Sequence, residues 1–147
     1  MPQLSLHSPL GALTVSQEDD ALVSLDWGWG CMQEETALLR RARAQLHAYF
    51  DGELAQFDLD LAPSGTAFQM KIWEALQQIP FGATRTYTEI AQLVGSNARA
   101  VGQANSRNPL PILIPCHRVV ARHGIGGFTG EGGTETKRFL LEHEGDH

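Results

Sequence analysis

The stretch "TYTEIAQLVGSNARAVGQAN", Thr86 to Asn105, carries two helical signals separated by one glycine and decides how the second half of the chain folds. Thr86 and Glu89 stand at capping-box spacing, where a hydroxyl and a carboxylate satisfy the first free N–H groups of a helix. "YTEIAQLV" supplies that helix, Gly95 its stop, and Ser96 or Asn97 the cap of a second one over "ARAVGQAN". Two short helices joined by a glycine turn have the plan of a helix-turn-helix. Such pairs are also common packing units, so the spacing alone names no ligand.

Upstream, Thr66 and Gln69 repeat the capping-box spacing ahead of Phe68, Ile72, Trp73, Leu76 and Ile79, and Pro80-Phe81-Gly82 stops that helix. "FDLDLAPSG", residues 57–65, ends in a Pro-Ser-Gly cluster that suits a linker. Before it, "LSLHSPLGALTVSQEDDALVSLDWGWG" alternates apolar and polar residues around turn clusters, which predicts two or three antiparallel strands. Leu38, Leu39, Ala42, Leu46, Tyr49 and Phe50 then follow the helical period up to Gly52. The expected fold is α+β: a small antiparallel sheet with a helix over residues 1–62, then a mostly helical lobe over 63–147 containing the helix-turn-helix.

A chain of 147 residues with 42% hydrophobic content can bury one ordinary core or two small ones. Two cysteines are too few for a disulfide framework, and no charged-then-apolar leader is visible, which points to a reducing, cytoplasmic setting. No apolar run nears the roughly 20 residues of a membrane helix, so no membrane partner is expected. The net charge of −6 conceals an asymmetry: Arg85, Arg99, Arg107, Arg118 and Arg122 face only Glu89 between residues 85 and 122. That leaves room for a polyanion on the second lobe.

"NPLPILIPCHRVV", Asn108 to Val120, puts Cys116 and His117 behind three prolines. Each proline pushes its predecessor out of the helical region, so 108–115 is expected to be an extended, stiff connector. Free cysteine is often an inert core residue, and Cys31 is read that way. For Cys116 the adjacent His117 and Arg118 would favour a thiolate. On an extended chain neighbours point to opposite faces, however, and His117 could then reach the sulfur only through a bend or a water. A structural zinc site wants about four paired ligands, and the other histidines are scattered. A thiol hydrolase would need oxyanion donors that no sequence feature identifies.

Four segments together, "GTAFQMKIWEALQQIPFGATRTYTEIAQLVG", "ARAVGQAN", "NPLPILIPCHRVV" and "KRFLLEHEG", resemble the O6-alkylguanine-DNA alkyltransferases over about residues 63–147. The resemblance implies double-stranded DNA carrying O6-alkylguanine as partner, bound through the minor groove by a monomer, with no cofactor. It makes Cys116 the acceptor of the alkyl group in a single-turnover displacement at saturated carbon, which needs no oxyanion hole. His117 becomes a base acting through water, Glu144 the group that orients it, and Tyr87 a proton donor to the leaving guanine. Asn108 would tie the connector to the active-site turn. Arg99 would fill the stack when the base flips out, while Ala98, Ala100, Gly102 and Ala104 keep the helix slim enough to approach the groove walls. Phe128 stands where relatives usually have tyrosine. The first lobe lacks the clustered Cys and His of zinc-bearing relatives, so no metal is expected. The rival reading is a protein that flips and binds the lesion without alkyl transfer.

Overall fold

The structure, a computed structural model, describes residues 1–126 and 133–145. It is a mixed α+β fold that divides into two compact units, Met1–Ser64 and Gly65–His147.

In the first unit, β1 (Gln3–Ser8), β2 (Gly11–Glu18) and β3 (Ala21–Trp27) form an antiparallel sheet in that order. Leu4, Leu6, Leu13, Val15, Leu22 and Leu25 are buried, as are Leu39, Ala42, Leu46 and Tyr49 of α1 (Ala37–Phe50), which packs on the sheet. Each such leucine or valine stabilises the unit by about 1.5–3 kcal/mol before conformational entropy is set against it. Alternation in the sequence would leave Ser5, Thr14 and Ser16 on a wet face, yet all three are buried. The Ser5 and Thr14 hydroxyls meet at 2.8 Å, and both accept from the Gly30 N–H. Gln33 also donates to the Ser5 hydroxyl. The loop after β3 therefore covers the second face, and it comes close: a Cβ on Gly30 would lie 3.2 Å from the Thr14 methyl and would displace the Gln3 amide.

The second unit begins with α2 (Ala67–Gln77), closed by the Thr66/Gln69 capping box. After it, α3 (Tyr87–Val94) carries the Thr86/Glu89 box and ends at Gly95 in the left-handed conformation, φ 72°. Asn97, rather than Ser96, caps α4 (Ala98–Ser106) by accepting from the Ala100 N–H at 2.9 Å. The buried face of α4, Val101, Ala104 and Asn105, packs toward the interior, and the Trp73 indole N–H reaches the Ala104 carbonyl at 2.9 Å. Ala104 thus belongs to the helix-helix contact, not to a groove-facing surface as expected above. A two-residue parallel pair, β4 (Arg85–Thr86) with β5 (Val119–Val120), joins the start of α3 to the Cys116 segment, and α5 (Thr134–His143) closes the unit.

Candidate active site

Residues 108–115 are not extended. The Ile114 N–H returns to the Leu110 carbonyl at 2.7 Å, and Ile112 sits at φ 74°, the left-handed region that β-branched residues avoid. Prolines 109, 111 and 115 fix their own φ angles but leave Ile112 and Leu113 able to reverse the chain. Asn108 holds the reversal, accepting from the Leu110 N–H at 2.9 Å and donating to the Ile114 carbonyl at 2.8 Å. A side chain that satisfies both ends of a turn is how a strained backbone persists.

Cys116, His117 and Arg118 follow as one 3-10 turn, all buried. The bend that the extended reading lacked is therefore present. Burial pushes the Cys116 thiol up; hydrogen bonding from Asn108, the charge of Lys137 and the N–H groups of Cys116 and His117 pull it back. Asn105 adds a bond from its amide to the Cys116 carbonyl at 3.3 Å.

His117 Nε2 lies 2.7 Å from Glu144 Oε2, and the imidazole is fully buried. Burial, the largest effect, holds its pKa below the ordinary value although Glu144 pulls the other way. A neutral ring facing a carboxylate carries its proton on Nε2, which leaves the Nδ1 lone pair as an acceptor. Nδ1 is buried with no hydrogen-bond partner among the described residues. Glu144 also receives Arg118 through two bonds, Nε to Oε1 at 2.8 Å and an NH2 group to Oε2 at 3.0 Å. The guanidinium completes its set on the Ile79 carbonyl at 2.7 Å and lies over the Phe81 ring. Arg118 is thus an internal strut and leaves the basic surface to which its charge assigned it.

Tyr87 opens α3, half-buried, with Lys137 Nζ 3.4 Å from its hydroxyl. On α4, Ala98 and Arg99 are exposed, and Ala100 and Gly102 are half-buried. A Cβ on Gly102 would meet the Tyr87 ring at 3.9 Å. Cys116, His117, Glu144 and Asn108 come together around one turn, and Tyr87 joins them through Lys137; Arg99, Ala98 and Ala100 lie outside that cluster. Phe128 falls outside the described residues. Arg118 and Lys137 are the members that sequence reasoning missed. A signal for Lys137 existed: Lys137, Leu140, Leu141 and Glu144 share one helical stripe, and all four are buried.

The model of the 6-O-methylguanine DNA methyltransferase DNA-binding domain matches residues 67–146, and that of the same enzymes' ribonuclease-like domain matches residues 4–63. The constitutive methylated-DNA-protein-cysteine methyltransferase of Bacillus subtilis is 44% identical, covering 94% of this chain and 92% of its own.

This chain belongs to the methylated-DNA-protein-cysteine methyltransferases.

The methyltransferase of Methanosarcina acetivorans is 42% identical over 95% of both chains. Among solved structures, Mycobacterium tuberculosis OGT in complex with DNA superposes with a TM-score of 0.88 at 39% identity, covering 99% of this chain and 93% of that one. The activity of this methyltransferase is repair of alkylated DNA by moving the alkyl group onto a protein cysteine. The Bacillus and Methanosarcina relatives are cysteine methyltransferases, which supports transfer over lesion binding alone. Among the described residues no helix is long and apolar enough to cross a membrane, and no group of three or more His, Cys, Asp or Glu could hold a metal.

Proposed function

We propose that Cys116 is the acceptor and that the substrate is O6-alkylguanine in double-stranded DNA. The observation that carries this is the Cys116-His117-Glu144 arrangement, in which a buried thiol precedes an imidazole whose far nitrogen is tied to a carboxylate. The thiol proton passes through a water to His117 Nδ1, and sulfur displaces the alkyl carbon from O6. The S–C bond forms as the C–O bond breaks, and its electron pair enters the purine. Tyr87 gives its proton to the departing guanine and is reprotonated from solvent as His117 releases the thiol proton there, so the proton lost by sulfur is balanced by one gained by the base. The thioether offers no carbonyl to water, and each chain acts once. Asn108 keeps the turn beneath the sulfur in place. No cofactor takes part.

Residues 1–62 form an accessory lobe in this reading, and 63–147 carry chemistry and DNA binding. A monomer lays α4 in the minor groove, with Ala98, Ala100 and Gly102 permitting close approach and Arg99 filling the space of the flipped nucleotide. The exposure of Arg99 beside half-buried small residues supports that assignment. A reducing, cytoplasmic setting suits a thiol that must stay free. Incubation with a labelled O6-methylguanine duplex should add a single methyl, located on Cys116 by peptide mass, with no further turnover. Label elsewhere, or repeated turnover, would overturn the assignment.

Arg99→Ala should slow repair of duplex DNA by roughly ten- to a hundredfold, corresponding to about 1–3 kcal/mol of unstacking left uncompensated. Transfer from the free alkylated base needs no flipping and should be nearly unchanged. Equal losses on both substrates would remove Arg99 from the flipping step.

A further inference from the structure

Lys137 is fully buried, an expensive place for an ammonium group, on a stripe that leucine or methionine would fill without penalty. It is held by two elements of the second unit. Nζ donates to the Val119 carbonyl of β5 at 2.6 Å and to the Tyr87 hydroxyl of α3 at 3.4 Å, and it lies 5.6 Å from the centre of the Tyr87 ring. The backbone closes in from the other side, since a Cβ on Gly126 would stand 2.9 Å from the Tyr87 hydroxyl and 3.3 Å from Nζ. Gly126 also holds φ 76°, so a side chain there is disfavoured twice.

We propose that Lys137 is a positioning residue of the transfer: anchored on Val119, it fixes the Tyr87 phenol and supplies the positive field in which Cys116 ionises. This rests on Cys116 being the acceptor. Among the described residues, the titratable and charged groups around it are Tyr87 of α3, Cys116 and His117 of the 3-10 turn, and the Arg118-Glu144 pair behind them. Arg118 and Glu144 offset each other, and burial keeps His117 neutral. Among the described residues the cation acting on the sulfur is Lys137, whose own pKa is drawn down to about 8 by burial while Cys116 pulls it up. Ammonium and thiol therefore titrate as a coupled pair. By donating to the phenol oxygen, Lys137 also occupies the lone pair on its side, which leaves the phenol O–H directed elsewhere and makes it a better proton donor.

The test is a titration of Cys116 by ultraviolet thiolate absorbance, taken as the difference from Cys116→Ala, in wild type, Lys137→Met and Lys137→Arg. Lys137→Met should move the midpoint to higher pH by about one unit, with about tenfold less thiolate near neutral pH. Its methyl-transfer rate should fall at least as far and recover as pH rises; Lys137→Arg, which keeps the charge, should restore much of the midpoint. A wild-type midpoint in Lys137→Met overturns the proposal, as does a rate loss that is equal at every pH. Should Lys137→Met not fold, wild type suffices: once Cys116 is methylated its sulfur carries no charge, so the Lys137 ammonium titration must shift to lower pH. An unchanged Lys137 titration in protein bearing methyl on Cys116 overturns the proposal, whereas methyl found on another residue overturns the acceptor assignment instead.

Discussion

Cys116→Ala should take up no methyl from an O6-methylguanine duplex while still binding that duplex nearly as well as wild type. The first half follows from chemistry: the alanine methyl has no lone pair with which to displace an alkyl carbon, and the His117 imidazole on the same turn is a far weaker nucleophile toward saturated carbon than a thiolate. Cys116→Ser should fail equally, because a hydroxyl ionises far above a thiol and the site lacks the charge to lower it that much. The second half follows from position. Cys116 is only 6% exposed, and truncation removes one buried sulfur, a change in the range of about 1 kcal/mol that leaves the fold and α4 in place. Label uptake against retained gel-shift affinity reads both halves. The other cysteine, Cys31, is not the core thiol expected from the sequence but is exposed in the first unit, and Cys31→Ala should transfer normally. Uptake by Cys116→Ala would make Cys31 the acceptor, and parallel loss of binding would give Cys116 a mainly structural role.

The sequence revealed the elements that are locally encoded. Thr66 with Gln69, Thr86 with Glu89, Gly95 and Asn97 each place a helix end through a bond or a backbone conformation spanning no more than a few residues. The turn at 110–114 escaped because prolines constrain their own φ and their neighbour's basin, while the reversal is closed by Asn108, whose two bonds depend on the folded turn itself. Arg118 escaped for a different reason. A charged residue is usually exposed, and its burial is decided by Glu144, 26 positions away in the chain, and by the Ile79 carbonyl 39 positions away. Lys137 was readable in part, as a charge on an apolar helical stripe. Its partners Val119 and Tyr87 come together only when β4 pairs with β5. Local chemistry thus located the helices and the proline-flanked segment that carries Cys116, and tertiary pairing supplied the charges that surround it.

Those charges make Glu144 the second large effect. Glu144→Ala should destabilise the protein by about 3–5 kcal/mol, because it leaves the Arg118 guanidinium buried without its carboxylate and His117 Nε2 without an acceptor. Against a typical stability of about 5–15 kcal/mol, denaturant melting should detect that loss easily. Glu144→Gln separates function from stability. Its amide oxygen in the Oε1 position can still accept from Arg118 Nε, but an NH2 group in the Oε2 position forfeits the second Arg118 bond, donates to His117 Nε2 and drives the imidazole proton to Nδ1. The nitrogen assigned to the thiol proton then has no lone pair, and transfer should slow by roughly a hundredfold or more, within the range for a lost general base. Replacing both partners with apolar residues, as in Arg118→Met with Glu144→Met, removes the stranded charge and should recover most of the stability lost in Glu144→Ala. Transfer should remain slow in that double variant, since nothing holds His117 in its working tautomer. Fast transfer there would show that Glu144 serves only to neutralise Arg118, and the His117 relay would have to be abandoned.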